Sequence, residues 1–460
     1  MKEFPKPLPL RKLLGPSFII LGVGLGSGEL ILWPYLASNF GLGIAWAAII
    51  GITFQFFINM EIERYTLVRG ESIFAGLTTK FGKWVPYWFM LSTFVPWMWP
   101  GIMASSATAL SAAFNLKYSP ALGIGLLLLL GVLYSFGKIV YKTQERVQKA
   151  IILVGVPFIF LITILFARTP NYEALSKGIL GIGENYYLLP ATIPIATFLT
   201  ALAYAGAGGN LNLAQSLYIR EKGYGMGMYS GKITNLLMGA KENVELTETR
   251  FEENAQNLLR FRIWWRRINI EHAIVFLLTG AFTMMLLMLL AHSTVYGNQN
   301  ASTSINFMLL EARVIGERTL PFLGSFFLVM ASLMLFGTQF AVYGSNARIM
   351  SENLYLANKK LFPTRKISLY FFILLWVQII AGIIIFSLGF TEPLALLVIS
   401  GILNAFSMFV YTGLIWRLNT TELSRATRPS GIRVFTTLLA FLFYGGFCLF
   451  TIILNLQKIF

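Results

Sequence analysis

Residues 18–39 contain the most unusual arrangement of residues in the chain, a carboxylate that follows closely spaced glycines in an apolar segment. The stretch FIILGVGLGSGELILWPYLASN is apolar enough to cross a bilayer, yet every second residue from Gly22 to Gly28 is glycine. Glu29 follows directly, and Pro34 comes soon after. Each glycine destabilises a helix interior by about 0.5–1 kcal/mol relative to alanine, and a charged side chain at membrane depth indicates a functional site. We therefore expect unwound backbone in this segment and a functional role for the Glu29 carboxylate.

A second interruption lies in the apolar segment 189–219. Three glycines break it, and three polar side chains follow: Gly206, Gly208, Gly209, Asn210, Asn212 and Gln215. Unwound backbone at membrane depth is tolerated only where it is buried in protein or lines a cavity. The two breaks fall in the first and the sixth apolar segments, which predicts a five-plus-five inverted repeat, the arrangement of many secondary transporters.

The elements that must position these groups are membrane helices. The chain is 56% hydrophobic and only 12% charged, whereas soluble domains carry about 25% charged residues. We predict an all-α membrane protein, with one transmembrane domain over residues 1–460 and a cytoplasmic loop at 220–270 between spans six and seven. Eleven stretches approach the roughly 20 residues that a crossing helix needs. Spans one to eleven are predicted at 14–40, 43–66, 84–113, 119–138, 147–167, 189–219, 271–293, 319–346, 368–388, 392–416 and 433–456.

The net charge of +16 is explained by topology. All but six of the 36 lysines and arginines fall in segments on one side of the predicted spans, which is the positive-inside pattern. It predicts a cytoplasmic N-terminus and, with eleven spans, an extracytoplasmic C-terminus. No nucleic-acid partner is needed to explain the basicity. We expect an integral protein of a bacterial inner (plasma) membrane, with the lipid bilayer as its partner.

The inventory of reactive side chains argues against an enzyme. Cys448 is the single cysteine, and His272 and His292 are the only histidines, so neither a disulfide framework nor a cysteine metal site is expected. No glycine-rich P-loop with a lysine is present. We predict no catalytic residues and no cofactor, and transport driven by an ion gradient or by the gradient of the substrate.

Two polar clusters outside the breaks have structural interpretations. The stretch LLRFRIWWRRIN at 258–269 alternates arginine and tryptophan, which favours a helix lying at the lipid headgroups. Glu61, Glu63 and Arg64 end span two, and we expect them to form a cytoplasmic ion-pair network.

The segments around both breaks resemble the Nramp-type divalent metal transporters, within the amino acid–polyamine–cation superfamily. GSGE at 26–29 stands where that family has Asp-Pro-Gly-Asn, and Gly41 keeps the spacing of the glycine that follows. Ala207, Gly208 and Gly209 replace its Met-Pro-His motif. Spans eight and ten look loosely like their counterparts. The resemblance implies a LeuT-like fold with broken helices 1 and 6, in a diverged relative of the family.

The departures from the family bear on the substrate. In the family, an Asp, an Asn and a Met sulfur hold the metal, and the matching positions here are Gly26, Glu29 and Ala207. The family's histidine tied to proton coupling corresponds to Gly209. All twenty acidic residues of the chain are glutamates, and the soft thioether that favours transition metals is gone. A bare Mn²⁺ or Fe²⁺ held as in the family is not expected.

Two substrate classes stay open. The first is a hydrated or chelated metal species in an altered, wider site, because Mg²⁺ dehydrates reluctantly and a single carboxylate is a poor set of ligands for a bare ion. The alternative is an amino acid or other small organic solute, held by exposed amides at half-helix ends. Glu29 is the candidate for proton coupling in symport and for any direct metal contact. The other candidate substrate-binding residues are Gly26, Ser27, Ala207, Gly208, Gly209 and Asn210, with Gln339, Asn346, Asn404 and Ser407 as weaker candidates.

Overall fold

The protein is a bundle of helices packed around one continuous hydrophobic core that runs from Phe4 to Cys448. The computed structural model describes residues 1–13, 15–117, 119–136, 140–230 and 248–456. Within these ranges 80% of the structure is helical, and they contain no β-strand. The predicted all-α class is thus confirmed.

Eighteen α-helices occur in the part of the chain that the structure describes. They are α1 Pro16–Gly24, α2 Trp33–Phe40, α3 Ala45–Arg69, α4 Ile73–Phe81, α5 Trp84–Trp97, α6 Gly101–Ala113, α7 Pro120–Phe136, α8 Val140–Phe166, α9 Thr169–Ile179, α10 Ile195–Ala203, α11 Ala214–Lys222, α12 Ala255–His272, α13 Thr279–Val295, α14 Asn306–Arg318, α15 Pro321–Ala357, α16 Ile367–Ser387, α17 Pro393–Glu422 and α18 Gly431–Leu456. Two π-helical segments, Leu25–Leu32 and Ala273–Leu278, join α1 to α2 and α12 to α13.

Each predicted span coincides with one or more of these helices. Eight helical segments among the described residues are long and apolar enough to cross a membrane. The other three predicted spans are divided or short: span three breaks between α5 and α6, span four is the 17-residue α7, and span six breaks between α10 and α11. The number of eleven crossings therefore stays a prediction.

Span one corrects the expectation of unwound backbone. Its glycine-rich part stays helical but changes to π geometry, in which the Trp33 amide donates to the carbonyl of Gly28, five residues back. Gly24 and Leu32 both keep right-handed helical dihedral angles. The break in span one is thus a change of hydrogen-bond register. The glycines allow close packing against neighbouring elements, as described below, and none of those in the π segment needs a left-handed conformation.

Span six is broken as expected. α10 ends at Ala203, a non-helical stretch follows, and a short 3₁₀ turn at Gly209–Leu213 leads into α11. Gly206, Gly208 and Gly209 have φ angles of 148°, 75° and 52°. Only glycine adopts such angles at no steric cost, so these residues fix the position of the break.

The predicted cytoplasmic loop 220–270 contains a long helix. The structure describes α11 to its end at Lys222, a 3₁₀ turn at Gly225–Tyr229, and α12. Residues 231–247 of this loop, which include the first part of the acidic stretch KENVELTETRFEEN, lie outside the described residues. α12 and its π segment then continue directly into α13 of span seven.

One face of the arginine–tryptophan stretch of α12 is covered by protein, and its position at the lipid headgroups stays a prediction. The indole of Trp264 is 1% exposed and donates to the Pro5 carbonyl at 3.0 Å. The Phe4 amide donates to Asn257 Oδ1 at 3.1 Å, and Arg267 donates to the Leu8 carbonyl at 2.7 Å. Residues 2–8 therefore form a strap along α12. We call these residues the N-terminal strap.

Trp265, next to the N-terminal strap, contacts two guanidinium groups. Arg64 of α3 lies 3.9 Å from the centre of the Trp265 ring, and Arg433 of α18 lies 4.9 Å from it. Both arginines also pair with Glu61, at 2.8 Å and 3.4 Å. The predicted ion-pair network at the end of span two is present, but Glu63 belongs to a different cluster.

Candidate functional site

The breaks of spans one and six meet through their backbones. A Cβ atom placed on Gly24 would lie 2.8 Å from the carbonyl oxygen of Gly206, and one on Gly28 would overlap the carbonyl oxygen of Tyr204. Side chains at these positions would push the two spans apart. The alternating glycines of span one therefore serve close approach to the broken span six.

The opposite side of the same π segment packs on span eight. A Cβ on Gly26 would lie 2.5 Å from Thr338 Oγ1, and that hydroxyl donates to the Gly22 carbonyl at 2.8 Å. This carbonyl belongs to the turn where the hydrogen-bond register of span one begins to change. Thr338 satisfies it from α15 and fixes the height of span one against span eight.

Glu29 is fully buried and turns toward span seven. One carboxylate oxygen accepts a hydrogen bond from the Thr283 hydroxyl of α13, and the other has no partner among the described residues. A Cβ on Gly280, one turn earlier in α13, would lie 3.4 Å from that second oxygen. Among the described residues Glu29 therefore makes its hydrogen bond to span seven and none to Ala207–Asn210.

Ser27 and Ala207 belong to the two breaks, and both are buried. The Ser27 hydroxyl has no hydrogen-bond partner in the part of the chain described by the structure. A buried hydroxyl without a partner costs about 1–3 kcal/mol. Ser27 and the second oxygen of Glu29 are thus two polar groups of the π segment with capacity for a further ligand.

Gln55 of span two, which is not among the residues predicted from the sequence, holds the break of span six together. Its amide nitrogen donates to the Ala203 carbonyl at 3.0 Å, and its amide oxygen accepts from the Gly208 nitrogen and from Asn212, each at 3.2 Å. One side chain therefore satisfies the backbone on both sides of the break. The signal was available, since glutamine is the one strongly polar residue in the apolar run FQFF.

Asn210 faces span three. Its amide nitrogen donates to the hydroxyls of Ser92 and Thr93 of α5, at 2.8 Å and 2.9 Å, and its amide oxygen is unpaired among the described residues. The Ser407 hydroxyl of α17 lies 3.4 Å from the Ser92 carbonyl and also donates to its own helix at Leu403. The structure therefore brings two predicted residues, Asn210 and Ser407, to the same α5 residue, Ser92.

Asn404 of span ten contacts the break of span six through Gly209 and Tyr204. A Cβ on Gly209 would overlap its amide oxygen, and its amide nitrogen donates to the Tyr204 hydroxyl at 2.9 Å. The Tyr204 hydroxyl also shares a 2.6 Å hydrogen bond with Ser400, and the Trp97 ring lies 5.3 Å from the Tyr204 ring. Spans three, six and ten thus surround the break with amides, hydroxyls and aromatic rings.

The two predicted residues of span eight differ in their surroundings. Gln339, next to Thr338, is 1% exposed, and neither atom of its amide has a partner among the described residues. Asn346, two helical turns further on, donates to Gln378 of span nine at 2.9 Å. Gln339 remains a candidate near the breaks, whereas Asn346 connects spans eight and nine.

The ligand chemistry of this region is that of neutral polar groups with one carboxylate. Among the described residues, no three His, Cys or Glu side chains are grouped so that they could hold a metal ion. Hard oxygen donors suit ions that keep part of their water, whereas sulfur and imidazole suit transition metals. The donors supplied here are amide and hydroxyl groups and Glu29.

Comparison with known proteins identifies the fold. No family model matches the chain, and no curated protein matches it by sequence. A mutant manganese transporter of Eremococcus coleocola matches with a TM-score of 0.67 at 13% identity, covering 98% of this chain and 89% of that chain. The same transporter in complex with an aromatic bis-isothiourea substituted compound matches with a TM-score of 0.66 at 12% identity and the same coverage.

A transporter of another class has a related architecture. Mhp1, a nucleobase-cation-symport-1 family transporter in a closed conformation with bromovinylhydantoin bound, matches with a TM-score of 0.56 at 12% identity, covering 95% of this chain and 93% of that chain. The predicted LeuT-like fold and the likeness to Nramp-type transporters are confirmed at the level of the fold. At these identities the likeness concerns the fold, and the substrate has to be argued from the residues.

Proposed function

We propose that this chain is a secondary active transporter whose substrate is a hydrated or chelated metal species, moved through an altered, wider form of an Nramp-like site. The observation that carries the proposal is the donor set at the two breaks. It consists of neutral amides and hydroxyls with one buried carboxylate, Glu29, whose second oxygen is unpaired. Such a set suits a cation that brings its own inner ligands, because Mg²⁺ and similar hard ions part from water reluctantly.

The contact between spans one and six gives the transport cycle its moving part. Their backbones touch at Gly24 and Gly28 without interdigitating side chains. Spans one and six rock together against the rest of the bundle and expose the site to each side in turn. Glu29 carries the coupling proton in this cycle, exchanging it when the site opens.

The orientation, the membrane and the domain organisation belong to the same proposal. The N-terminus is cytoplasmic and the C-terminus extracytoplasmic, which the placement of all but six of the 36 basic residues supports. The membrane is a bacterial inner (plasma) membrane. The whole chain acts as one transport domain, supported by the single hydrophobic core.

An amino acid or other small organic solute is the second candidate. It is favoured by Asn210, Asn404 and Tyr204, which offer several neutral hydrogen-bond groups beside the Trp97 ring. Pockets for organic ligands combine aromatic surface with a few placed polar groups. In this case Glu29 binds a substrate ammonium group or the coupling proton.

Calorimetric titration of the detergent-purified chain separates the two candidates. The titrants are Mn²⁺, Mg²⁺, ferric citrate and a panel of small amino acids, applied to wild type and to Glu29→Gln. We expect binding of hydrated Mg²⁺ or the ferric chelate, weakened at least tenfold by Glu29→Gln, since the charge of the carboxylate is removed while its shape is kept.

Glu311→Gln is the matched control. Glu311 of α14 is also a buried carboxyl, 2% exposed, with an oxygen that has no partner among the described residues. We expect Glu311→Gln to bind like wild type. Binding of amino acids with no response to any metal form would replace the metal proposal with the organic one, and undiminished metal binding by Glu29→Gln would remove Glu29 from the site.

A further inference from the structure

A second group of buried ionisable side chains lies outside the site described above, where the N-terminal end of span one meets spans two, six and seven. Ser17 of α1 donates to Glu271 at 2.5 Å and shares a 2.8 Å hydrogen bond with Nδ1 of His272. The same nitrogen lies 3.5 Å from Glu63 of α3, and Gln215 of α11 donates to that glutamate at 2.7 Å. These five side chains, which we call the buried relay, form a continuous chain of polar contacts.

Every member of the buried relay except Ser17 keeps an atom with unused hydrogen-bonding capacity. The atoms without partners among the described residues are Glu63 Oε2, Glu271 Oε1, His272 Nε2 and Gln215 Oε1. All five side chains are at most 6% exposed. Buried polar groups are normally satisfied, so these four atoms have capacity for further ligands.

Span two connects the buried relay with the break of span six. Gln55, Asn59 and Glu63 are spaced four residues apart in α3, so they lie on one face with about 5–6 Å between successive Cβ atoms. Gln55 binds the Gly208 amide and Asn212 at the break. The polar face therefore leads from the candidate site to Glu63 without leaving the helix.

Asn59 occupies the middle of this face and is fully buried. Neither its amide oxygen nor its amide nitrogen has a partner among the described residues. A water molecule bound to this amide would gain the two to four hydrogen bonds that buried waters make and would connect Gln55 with Glu63. The unpartnered amide of Asn59 thus indicates a ligand on this path, independently of the buried relay.

Several charged groups from neighbouring elements face the buried relay. Arg433 of α18 lies near Glu63, and Lys149 of α8 and Lys222 of α11 lie near Glu271. Tyr224 faces both carboxyl groups, and Glu145 pairs with both lysines. Lys149 and Lys222 are 31% and 24% exposed at their side chains, so the Glu271 end of the buried relay adjoins water.

We infer that the buried relay is a proton path, which carries protons between the break of span six and the predicted cytoplasmic side through Glu63, His272, Ser17 and Glu271. The Ser17 hydroxyl proton moves to Glu271 while the Nδ1 proton of His272 replaces it on the Ser17 oxygen. In the same step a proton from Glu63 replaces the one on Nδ1, so His272 and Ser17 end unchanged. Glu271 releases the proton beside Lys149.

The inference rests on the proposed function, because a transporter coupled to protons needs a route from its site to water. All members of the path belong to spans one, two, six and seven. Glu29 exchanges its proton beside Thr283 of span seven. The buried relay instead connects with the break of span six through Gln55 of span two. The path therefore supplies a second place where protonation acts on the broken helices.

A measurement without any substrate tests the inference. The full chain is reconstituted in liposomes that enclose a pH-sensitive dye, and protons are driven inward by a potassium diffusion potential with valinomycin. We expect wild type to admit protons faster than protein-free liposomes, and Glu63→Gln and His272→Gln to reduce that excess flux at least tenfold. Glu311→Gln is the matched control for loss of a buried carboxyl and should keep the flux of wild type.

Asn59→Leu is the second variant, which keeps the test decisive if Glu63→Gln fails to fold. It leaves every ionisable group in place and removes only the amide that would hold water, so the excess flux should fall to the level of His272→Gln. The inference is overturned if Asn59→Leu and His272→Gln conduct like wild type, or if wild-type liposomes admit protons no faster than protein-free ones. Calorimetry with the metal and amino acid panel decides the proposed function separately, because the flux assay contains neither.

Discussion

Glu71 shows how burial acts on a single side chain of this protein. It lies in the short turn between α3 and α4, outside the apolar spans, and is 7% exposed. The Tyr65 hydroxyl donates to it at 2.7 Å. Removal from water disfavours the charged form and raises the pKa of this carboxyl from 4.5 to about 7, although the hydrogen bond from Tyr65 opposes the shift.

Glu71 should make the stability of the protein depend on pH. Between pH 4.5 and about 7 the folded state holds a proton that the unfolded state has released. Folding is therefore favoured at the low end of this interval, and the free energy of unfolding falls as the pH rises, by up to about 3 kcal/mol. Glu71→Gln should flatten this slope in thermal unfolding measured across the interval.

The matched control for Glu71 is Glu253→Gln. Glu253 is exposed and precedes α12, so its removal should leave the slope as in wild type. A Glu71→Gln protein with an unchanged slope would show that another group determines the pH dependence.

At the scale of one residue, the sequence indicates several candidate groups but not their partners. Glu29 and the glycines around it stand out because their types are unusual in an apolar span. That Glu29 turns to Thr283 depends on the π register of span one, which shifts the faces of a helix and has no simple sequence signature. Gln55 was missed because a single glutamine in an apolar run does not reveal that it faces a broken neighbour.

The pairing of spans one and six dominates at the scale of elements. Their axes approach so closely that the Gly28 position has no room for a Cβ atom beside the Tyr204 carbonyl. Backbone atoms cannot rotate away as the end of a side chain can. Gly28→Ala should therefore force the two spans apart and lower the free energy of unfolding by about 1–3 kcal/mol.

Gly446→Ala is the matched control for this prediction. Gly446 lies in α18, where a Cβ atom would meet nothing within 4 Å. Alanine in an unobstructed helix stabilises by about 0.4–1 kcal/mol, so this variant should unfold slightly later than wild type. Thermal unfolding of both variants in the same detergent tests the difference, and equal unfolding midpoints would contradict the close packing of spans one and six.

The breaks themselves were only partly predictable. The cluster of glycines at 206–209 predicted the break of span six. In the structure Gly206, Gly208 and Gly209 have positive φ angles, which few other residues tolerate. The same glycine density in span one predicted unwinding, and the structure uses those glycines for contact instead. Composition alone does not distinguish the two uses, because both need the absence of a Cβ atom.

At the scale of the whole molecule, two reciprocal ion pairs join spans six and eight. Arg220 of α11 binds Glu352 of α15, with one nitrogen–oxygen distance of 2.9 Å, and Arg348 of α15 binds Glu221 of α11. All four side chains are at most 3% exposed. Next to them, the Tyr218 hydroxyl and Ser345 lie 2.5 Å apart. In the conformation described, these contacts hold the second half of the broken span six against the continuous helix α15.

Removal of one partner from such a pair should be costly. Arg220→Met leaves the Glu352 carboxylate buried without its guanidinium, and we expect a loss of about 3–5 kcal/mol in the free energy of unfolding. The double variant Arg220→Met with Glu352→Leu replaces the pair by apolar groups and should recover most of that loss. Thermal unfolding of wild type, both single variants and the double variant provides the measurement.

An exposed ion pair provides the comparison for the stability cost at the buried ion pairs. Arg313 and Glu317 of α14 lie 2.7 Å apart, with side chains 75% and 59% exposed. Arg313→Met should cost no more than about 1 kcal/mol, because solvent screens such pairs. A double variant of Arg220 and Glu352 that is as unstable as Arg220→Met would refute the idea that an unpaired charge causes the loss.

The N-terminal strap has a consequence for the order in which this chain matures on the ribosome. Phe4 binds Asn257 across 253 residues of sequence, so at about 5–20 residues per second it waits on the order of 10–50 seconds for its partner to be translated. During that interval span one can enter the membrane, but its leading residues have no α12 to lie against. The N-terminal strap thus reaches its final place only after Asn257 has been translated.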